Sequence, residues 1–240
     1  AREVSVRFGG LVAVDAVSAA FAPGELVGII GPNGAGKTTF FNALSGVVTP
    51  TGGELFASGE RLTGARPHHF ARCGIARTFQ TPRVFSDLDV AANIDFGLQF
   101  AGRHREAPAA LAGTGAILDR IGLSAQARLP AATVTPSQQR LLEIGMALAT
   151  RPRLLLLDEV AAGLTEHEVE SMARLIRDLR DDFDLTVIWI EHAVTTLMRH
   201  VERVLVLHQG RKIADGTPAE VVRDAGVIEA YLGDEMGEPA

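Results

Sequence analysis

The chain contains 240 residues, of which 47% are hydrophobic, and this supports one large globular domain with a buried core. Its net charge of −6 argues against a broad nucleic-acid surface, because binding to a phosphate backbone requires clustered Lys and Arg. One cysteine, Cys73, excludes an internal disulfide and indicates a reducing compartment and a buried thiol.

The sequence carries no membrane-spanning or secretory signal. No apolar run approaches the length needed to cross a bilayer, and the first ten residues do not resemble a signal peptide. We therefore expect the chain itself to be soluble. Because the sequence starts in a strand-like segment without Met, we also expect it to belong to a longer chain, which the mass of the native gene product would test.

Short β-like segments make up the first 30 residues. EVSVRF and LVAVDAVSAAF are followed by a turn at Pro23-Gly24 and then by ELVGII, an apolar run typical of a strand buried on both faces. This pattern predicts an N-terminal β layer. Phe8 could belong to the core or stack on a nucleotide base, and the residue taken alone favours the core.

Residues 31–38, GPNGAGKT, form a phosphate loop by the pattern G-x-x-x-x-G-K-[ST], placed between the predicted strand and a helix-like segment. Lys37 would place a positive charge on the β- and γ-phosphates of a nucleotide, and the Thr38 hydroxyl would hold Mg²⁺. This context argues against an ordinary glycine-rich turn. Three residues without Cβ allow the backbone to curl and to aim N–H groups at phosphate oxygens: Gly31, Gly34 and Gly36.

The middle of the chain changes from strand-like to helical spacing. Residues 49–62 predict a loop and a short strand, and residues 66–80 predict a helix followed by a strand that ends at Gln80. Over residues 81–149, apolar side chains recur at helical spacing, which predicts an inserted helical subdomain. Its most flexible loop is expected at residues 101–108.

A helix with a well-defined start is predicted over residues 134–150. Thr135 can cap it, Pro136 suits the first helical position, and Gln138 completes a capping box. The apolar run that follows ends in Asp158 and Glu159. The C-terminal end of a central parallel strand lies at the edge of the sheet where ligands bind, so both acids are expected at that edge. Two adjacent acids at such a position rarely have a purely structural role.

A second strand of the same design, DLTVIWIEH, ends at His192. Taken alone, an isolated histidine of this kind is more often structural than a ligand. A hairpin around residues 209–210 and a helical segment at residues 219–233 are predicted to complete the chain.

These elements come in an order that resembles the ATP-binding subunit of ATP-binding-cassette (ABC) transporters, over essentially the whole chain. RFGG, GIARTFQ, VAAN, LLLLDEVAAGL, WIEH and GTPAEVVRDAGVIEAYLG are most similar to the G-type ATPase subunit of branched-chain amino-acid importers. The resemblance implies an α/β fold: a P-loop NTPase core with a mostly parallel sheet, an N-terminal antiparallel β layer and an inserted α-helical subdomain. The single domain would divide into a nucleotide-binding core, residues 1–80 and 150–240, and the subdomain, residues 81–149.

The resemblance also implies a role for each candidate residue. The adenine of ATP stacks on Phe8, which reverses the core interpretation, and His192 contacts the γ-phosphate. Mg²⁺ is organised by Thr38, Gln80 and Asp158. Glu159 is the general base that polarises the attacking water, and Gln80 senses Mg²⁺ and that water. The triphosphate ligands are Gly31, Asn33, Gly34, Ala35, Gly36, Lys37, Thr38 and Thr39.

One segment departs from the family pattern. The family signature LSGGQ reaches across a dimer to the partner's γ-phosphate, and it stands here as VTPSQ at residues 134–138, the signature segment. Thr135 keeps a hydroxyl and Gln138 is retained. Pro136 removes an N–H, and Ser137 adds a side chain where glycine permits close approach. We predict that the ATP site completed by this segment is weak.

The resemblance implies an ATP-hydrolysing subunit that energises a membrane importer of branched-chain amino acids. Two ATPase subunits, identical or different, would close on two ATP molecules and drive permease subunits, which places the chain in the cytoplasm on the inner face of the cell membrane. One alternative is a soluble ABC ATPase of repair or translation, which the acidic balance and the lack of coiled-coil heptads oppose. Another is an ATP-gated partner with little hydrolysis of its own, which the altered signature segment favours.

Overall fold

The computed structural model describes residues 1–99, 113–191 and 193–235. A six-stranded sheet lies at its centre, with one edge strand antiparallel to its neighbour and all other neighbours parallel. Both strands at the middle of this sheet, the third and fourth in spatial order, are buried along their whole length, as expected for strands covered on both faces. The spatial order is β11 (Arg211–Gly216), β10 (Arg203–His208), β3 (Leu26–Ile30), β9 (Thr186–Ile190), β8 (Leu154–Asp158) and β7 (Ile75–Arg77).

An antiparallel sheet covers one side of this core. It consists of β2 (Leu11–Val17), β1 (Arg2–Phe8) and β4 (Gly52–Glu54) in that spatial order, and a two-stranded hairpin, β5 (Phe56–Ala57) and β6 (Glu60–Arg61), follows it. Its inner valines share a hydrophobic cluster with Phe40 and Phe41 of α1 (Lys37–Leu44). The predicted N-terminal β layer is confirmed.

Helices cover the other surfaces of the central sheet. In the middle of the chain, α3, α4 and α5 pack on one another, and a Cβ on Gly145 of α5 would lie within 2.7 Å of side-chain atoms of Ile94 and Ile121. Glycine at this position therefore allows close approach of the helices. The helices are α2 (Pro67–Arg72), α3 (Val90–Gln99), α4 (Thr114–Arg120), a 3₁₀ helix (Ser124–Gln126), α5 (Pro136–Ala149), α6 (Glu166–Phe183), α7 (Val194–His200), α8 (Pro218–Val221) and α9 (Ala225–Glu235).

Several sequence predictions require correction. The strand predicted to end at Gln80 ends at Arg77, because after Thr78 the backbone turns from β8 toward α5, where the Phe79 N–H donates to Glu143. Cys73 is half-buried rather than buried, and its thiol lies 3.4 Å from the Glu60 carboxylate. The C-terminal segment is helical as predicted and consists of two helices, α8 and α9.

Two predictions fall on residues outside the described ranges: the flexible loop at residues 101–108 and His192. Among the residues that are described, no helix is both long enough and apolar enough to cross a membrane. The predicted hairpin around residues 209–210 is confirmed by the pairing of β10 with β11.

Candidate functional site

The phosphate loop connects β3 to α1, and two glycines allow its backbone to lie directly against neighbouring strands. Gly36 has a φ of +96°, and a Cβ there would lie 2.3 Å from the carbonyl oxygen of Ala13 on β2. A Cβ on Gly31 would lie 2.0 Å from the carbonyl oxygen of Leu207 on β10. Neither position has room for a side chain. The loop is therefore fixed between the N-terminal sheet and the central sheet.

The loop and the first turn of α1 present unused hydrogen-bond donors. Lys37 is 6% exposed, and its ammonium donates to the carbonyl oxygens of Gly31 at 2.6 Å and Pro32 at 2.9 Å. Burial lowers the pKa of Lys37, and the nearby Glu159 opposes this shift. Free N–H groups at a helix N-terminus beside a buried cation form a site for phosphate. Six backbone N–H groups have no acceptor among the described residues: Asn33, Gly34, Gly36, Lys37, Thr38 and Thr39.

Exposure differs along the same loop. Asn33, Gly34 and Thr38 are exposed, whereas Ala35 is buried in the hydrophobic cluster formed by the N-terminal sheet and α1.

Phe8 lies at the end of β1, on the hairpin whose second strand contacts the phosphate loop, and 52% of its surface is exposed. Its interpretation as a core residue is therefore wrong. An exposed aromatic ring on this hairpin is available to a planar ligand.

Asp158, at the end of β8, forms a buried ion pair that the sequence did not indicate. The Arg77 guanidinium lies 3.0 Å from its carboxylate, and the two side chains are 10% and 4% exposed. Arg77 also donates to the side-chain oxygens of Asn42 at 2.7 Å and Ser45 at 2.9 Å on and after α1. Burial lowers the pKa of Arg77, and Asp158 opposes this shift. One arginine therefore joins the acid-bearing strand to the helix of the phosphate loop.

Replacing Arg77 with Met is expected to lower the free energy of unfolding by about 3–5 kcal/mol, because a buried carboxylate loses its cationic partner. Urea denaturation followed by circular dichroism measures this change. Arg61→Met is the matched control: its ion pair with Glu54 is exposed, so its loss should cost no more than about 1 kcal/mol. Equal losses for the two variants would contradict the importance of the buried pair.

Gln80 and Glu159 are brought together although they lie far apart in the sequence. The Gln80 side-chain amide donates to the Glu159 carboxylate at 2.7 Å, and Glu159 is 5% exposed. The Glu159 backbone has a φ of +51°, its N–H donates to the carbonyl oxygen of Ile190, and Arg140 donates to its carbonyl oxygen at 2.6 Å. The carboxylate is thus held in one orientation at the C-terminal edge of the sheet.

The signature segment starts α5 and is held by local hydrogen bonds. The predicted capping box between Thr135 and Gln138 is confirmed, with Pro136 at the first helical turn. The Ser137 hydroxyl donates to the Glu168 carboxylate at 2.7 Å, and this bond, with those from Thr165, lowers the pKa of Glu168 to about 2. Within the described residues, no hydrogen bond joins the signature segment to the phosphate loop of the same chain.

A comparison with sequence profiles of known families identifies the family of the chain. Residues 14–162 match the profile of ABC transporters. The chain belongs to the ABC transporter family. This ABC protein is accordingly an ATP-binding, ATP-hydrolysing cassette, and the predicted α/β P-loop NTPase fold with its mostly parallel sheet and N-terminal antiparallel layer is confirmed. A second profile, described as branched-chain amino acid ATP-binding cassette transporter, matches residues 211–236.

Relatives of this ABC ATPase are similar over nearly its whole length. It is 38% identical to the high-affinity branched-chain amino acid transport ATP-binding protein BraF of Pseudomonas aeruginosa, over 96% of both chains. It is 39% identical to the corresponding protein LivG of Escherichia coli, over 95% of both chains. Its structure is similar to the ADP conformation of MJ1267, an ATP-binding cassette of an ABC transporter, with a TM-score of 0.85 and 27% identity over 97% of both chains.

Three residues around the site were not predicted from the sequence: Arg77, Arg140 and Glu143. Glu143 lies in the apolar middle of α5, and a single acid among buried aliphatic neighbours is a signal that could have revealed it. Arg77 and Arg140 gave no such signal, because their partners come from distant segments.

Proposed function

We propose that this ABC ATPase energises a membrane importer for branched-chain amino acids. The observation that carries the proposal is the match of its C-terminal segment, residues 211–236, to the profile of branched-chain amino acid cassettes. This segment lies outside the phosphate loop and the acids of β8, so the similarity extends beyond what every ATP-hydrolysing cassette needs. The names of BraF and LivG support the same substrate class.

Nucleotide binding follows from the geometry of the phosphate loop. The triphosphate would accept hydrogen bonds from the free N–H groups of Asn33, Gly34 and residues 36–39. The Lys37 ammonium would leave the loop carbonyls and pair with the β- and γ-phosphates. Phe8 would stack on the adenine. The loop residues assigned to the triphosphate are Gly31, Asn33, Gly34, Ala35, Gly36, Lys37, Thr38 and Thr39.

The site also suits Mg²⁺. Thr38, Gln80 and Asp158 offer the oxygen donors that this hard cation takes, and ATP and water would supply its other ligands. Among the described residues, no group of three or more His, Cys, Asp or Glu side chains could hold a metal by itself. When bound, Mg²⁺ would neutralise charge on the β- and γ-phosphates.

Hydrolysis is assigned to the Gln80–Glu159 pair. The Glu159 carboxylate would accept a proton from the attacking water as its oxygen bonds to the γ-phosphorus, and the bond from that phosphorus to the ADP oxygen would break. Gln80, 2.7 Å from this carboxylate, would keep it oriented and sense the water. His192, which lies outside the described residues, would contact the γ-phosphate.

Permease subunits and a second ATPase subunit are the proposed partners. Phe85, Leu88 and Phe96 are exposed large hydrophobic residues at the start of the proposed helical subdomain, residues 81–149, and the first and last of these rings pack edge to face at 4.5 Å. A cytoplasmic helix of a permease would dock there and hold the chain on the inner face of the membrane. The second ATPase subunit, identical or different, would complete each ATP site with its signature.

Uptake of labelled amino acids in the native host tests the importer function. Deletion of the gene should reduce high-affinity uptake of leucine, isoleucine and valine, and a wild-type copy should restore it. Ribose uptake is the control and should not change. Unchanged leucine uptake would contradict the proposal.

A weakly hydrolysing, ATP-gated partner is the second candidate function. Pro136 lacks an N–H, and the hydroxyls of Thr135 and Ser137 already bond within the chain. In the uptake experiment, full restoration by a copy carrying Glu159→Gln would favour this candidate, because hydrolysis by this chain would then be dispensable. A soluble ABC ATPase of repair or translation is not favoured, since BraF and LivG are both transport proteins by name.

A further inference from the structure

Glu143 lies in the middle of α5 and serves neither ATP binding nor proton transfer. Its side chain is 5% exposed between Leu142 and Ile144, which are fully buried. One carboxylate oxygen accepts two backbone hydrogen bonds, from Phe79 at 3.2 Å and from Arg83 at 3.0 Å. These two donors flank Gln80 in residues 78–83, which we call the Gln80 loop.

The Gln80 loop has few other attachments to the fold. At its start, Thr78 donates its N–H to the carbonyl oxygen of Leu156 and accepts from the N–H of Asp158. The Phe79 ring lies near two guanidinium groups, at 4.5 Å from Arg77 and 4.4 Å from Arg83. After Gln80, the Arg83 N–H bonded to Glu143 is the first backbone attachment. Among the described residues, the loop backbone after Thr78 is therefore held by the Glu143 carboxylate, whereas the Gln80 side chain is held by Glu159.

The surroundings of Glu143 are partly charged. Burial raises the pKa of Glu143 to about 7, whereas the two backbone donors, Arg140 and Arg77 favour its ionised form. Arg140, one turn earlier on α5, lies on the same side of the helix and donates to the carbonyl oxygen of Glu159 at 2.6 Å. One helix face thus contacts the segments that carry both members of the Gln80–Glu159 pair.

We propose that Glu143 is a positioning residue for hydrolysis, which holds the Gln80 loop on α5 so that the Gln80 amide meets the Glu159 carboxylate. Because α5 begins at the signature segment, the two hydrogen bonds to Glu143 also tie the Gln80 loop to the helix that, in the proposed dimer, would face the second subunit's nucleotide. A displacement of α5 would be transmitted to Gln80 through two hydrogen bonds. The proposal rests on the assignment of Gln80 and Glu159 to hydrolysis.

Glu143→Leu removes both hydrogen bonds and keeps a side chain of similar size. We expect kcat for ATP hydrolysis by the full chain to fall about tenfold or more, with KM for ATP unchanged, because the triphosphate site does not contact residue 143. Hydrogen exchange of the peptide covering residues 78–83 should accelerate about tenfold, since two protecting bonds are lost. The Glu143→Gln variant should keep the wild-type kcat and the wild-type exchange rate of residues 78–83, because its amide oxygen still accepts the two hydrogen bonds.

Ile144→Val is the control for a simple loss of packing, because Ile144 is fully buried next to Glu143 and its aliphatic side chain cannot form a hydrogen bond. It should leave kcat and loop exchange unchanged. If the Leu variant fails to fold, Glu143→Asp withdraws the carboxylate by one methylene and should show the same two effects. Wild-type kcat and loop exchange in the Leu or Asp variant would overturn the proposal, as would equal effects of Ile144→Val. Loop exchange that accelerates while Glu159→Gln leaves turnover intact would overturn the hydrolytic assignment instead.

Discussion

Replacement of Glu159 by Gln is expected to lower ATP turnover by about 10²-fold or more without weakening ATP binding. The amide keeps the size of the side chain and its hydrogen bond to Gln80, but it cannot accept the proton of the attacking water. Nucleotide binding depends on the phosphate loop, which the substitution does not alter. Release of phosphate and titration with a fluorescent ATP analogue measure the two quantities separately.

Glu229→Gln provides the matched control for this substitution, because Glu229 is an exposed acid on α9. Glu229→Gln should leave ATP turnover and ATP binding unchanged.

Size-exclusion chromatography of the Glu159→Gln variant with ATP and Mg²⁺ adds a test of the signature segment, since blocked hydrolysis should let closed dimers accumulate. A monomer that binds ATP would support a weak signature segment. Unchanged ATP turnover in the Glu159→Gln variant would contradict the assignment of Glu159 as the general base.

Replacement of Gly36 by Ala is expected to abolish detectable ATP binding and to lower the free energy of unfolding by about 3 kcal/mol. The new Cβ would lie 2.3 Å from the carbonyl oxygen of Ala13, at a φ of +96° that L side chains rarely adopt. Relief requires a shift of the phosphate loop away from β2, which would turn its N–H groups from the triphosphate. Titration with the ATP analogue and urea denaturation report the two effects.

Gly59→Ala separates backbone strain from the clash. Gly59 also has a positive φ, +84°, but no atom lies within 4 Å of the position that a Cβ would take. Its replacement should cost only about 1–2 kcal/mol of stability and should not change ATP affinity. Equal losses in the two alanine variants would show that strain, and not contact with Ala13, decides the conformation of the loop.

The parts of the fold that could be predicted from the sequence are set by neighbouring residues. The phosphate loop, the capping box of Thr135 and Gln138, and the buried strand ending in Asp158 each follow from a pattern within ten to fifteen positions. The backbone in these segments adopts what its own residue types favour. Their placement on a common sheet edge follows from the parallel order of the strands.

Other features depend on contacts between distant segments, and the sequence did not reveal them. Beyond β7, the backbone N–H groups of Phe79 and Arg83 bind Glu143 instead of a neighbouring strand, and no pattern within residues 75–83 indicates a partner on α5. Phe8 is 52% exposed although its residue type favours burial, and only the resemblance to the ABC family indicated an accessible ring. The ion pair between Arg77 and Asp158 likewise joins two strands far apart in the sequence.

The position of β3 in the central sheet has a consequence for synthesis of the chain. β3 is made early, yet its two neighbours are β9 and β10: Leu26 pairs with Val187, and Val27 pairs with Arg203. During translation the strand that leads into the phosphate loop stays unpaired on both edges until residues 186–208 have left the ribosome. Pairings of this range are slow to form and leave apolar strands open to aggregation meanwhile. A nascent chain of this ATPase therefore cannot place its phosphate loop in the central sheet until β9 and β10 have been made.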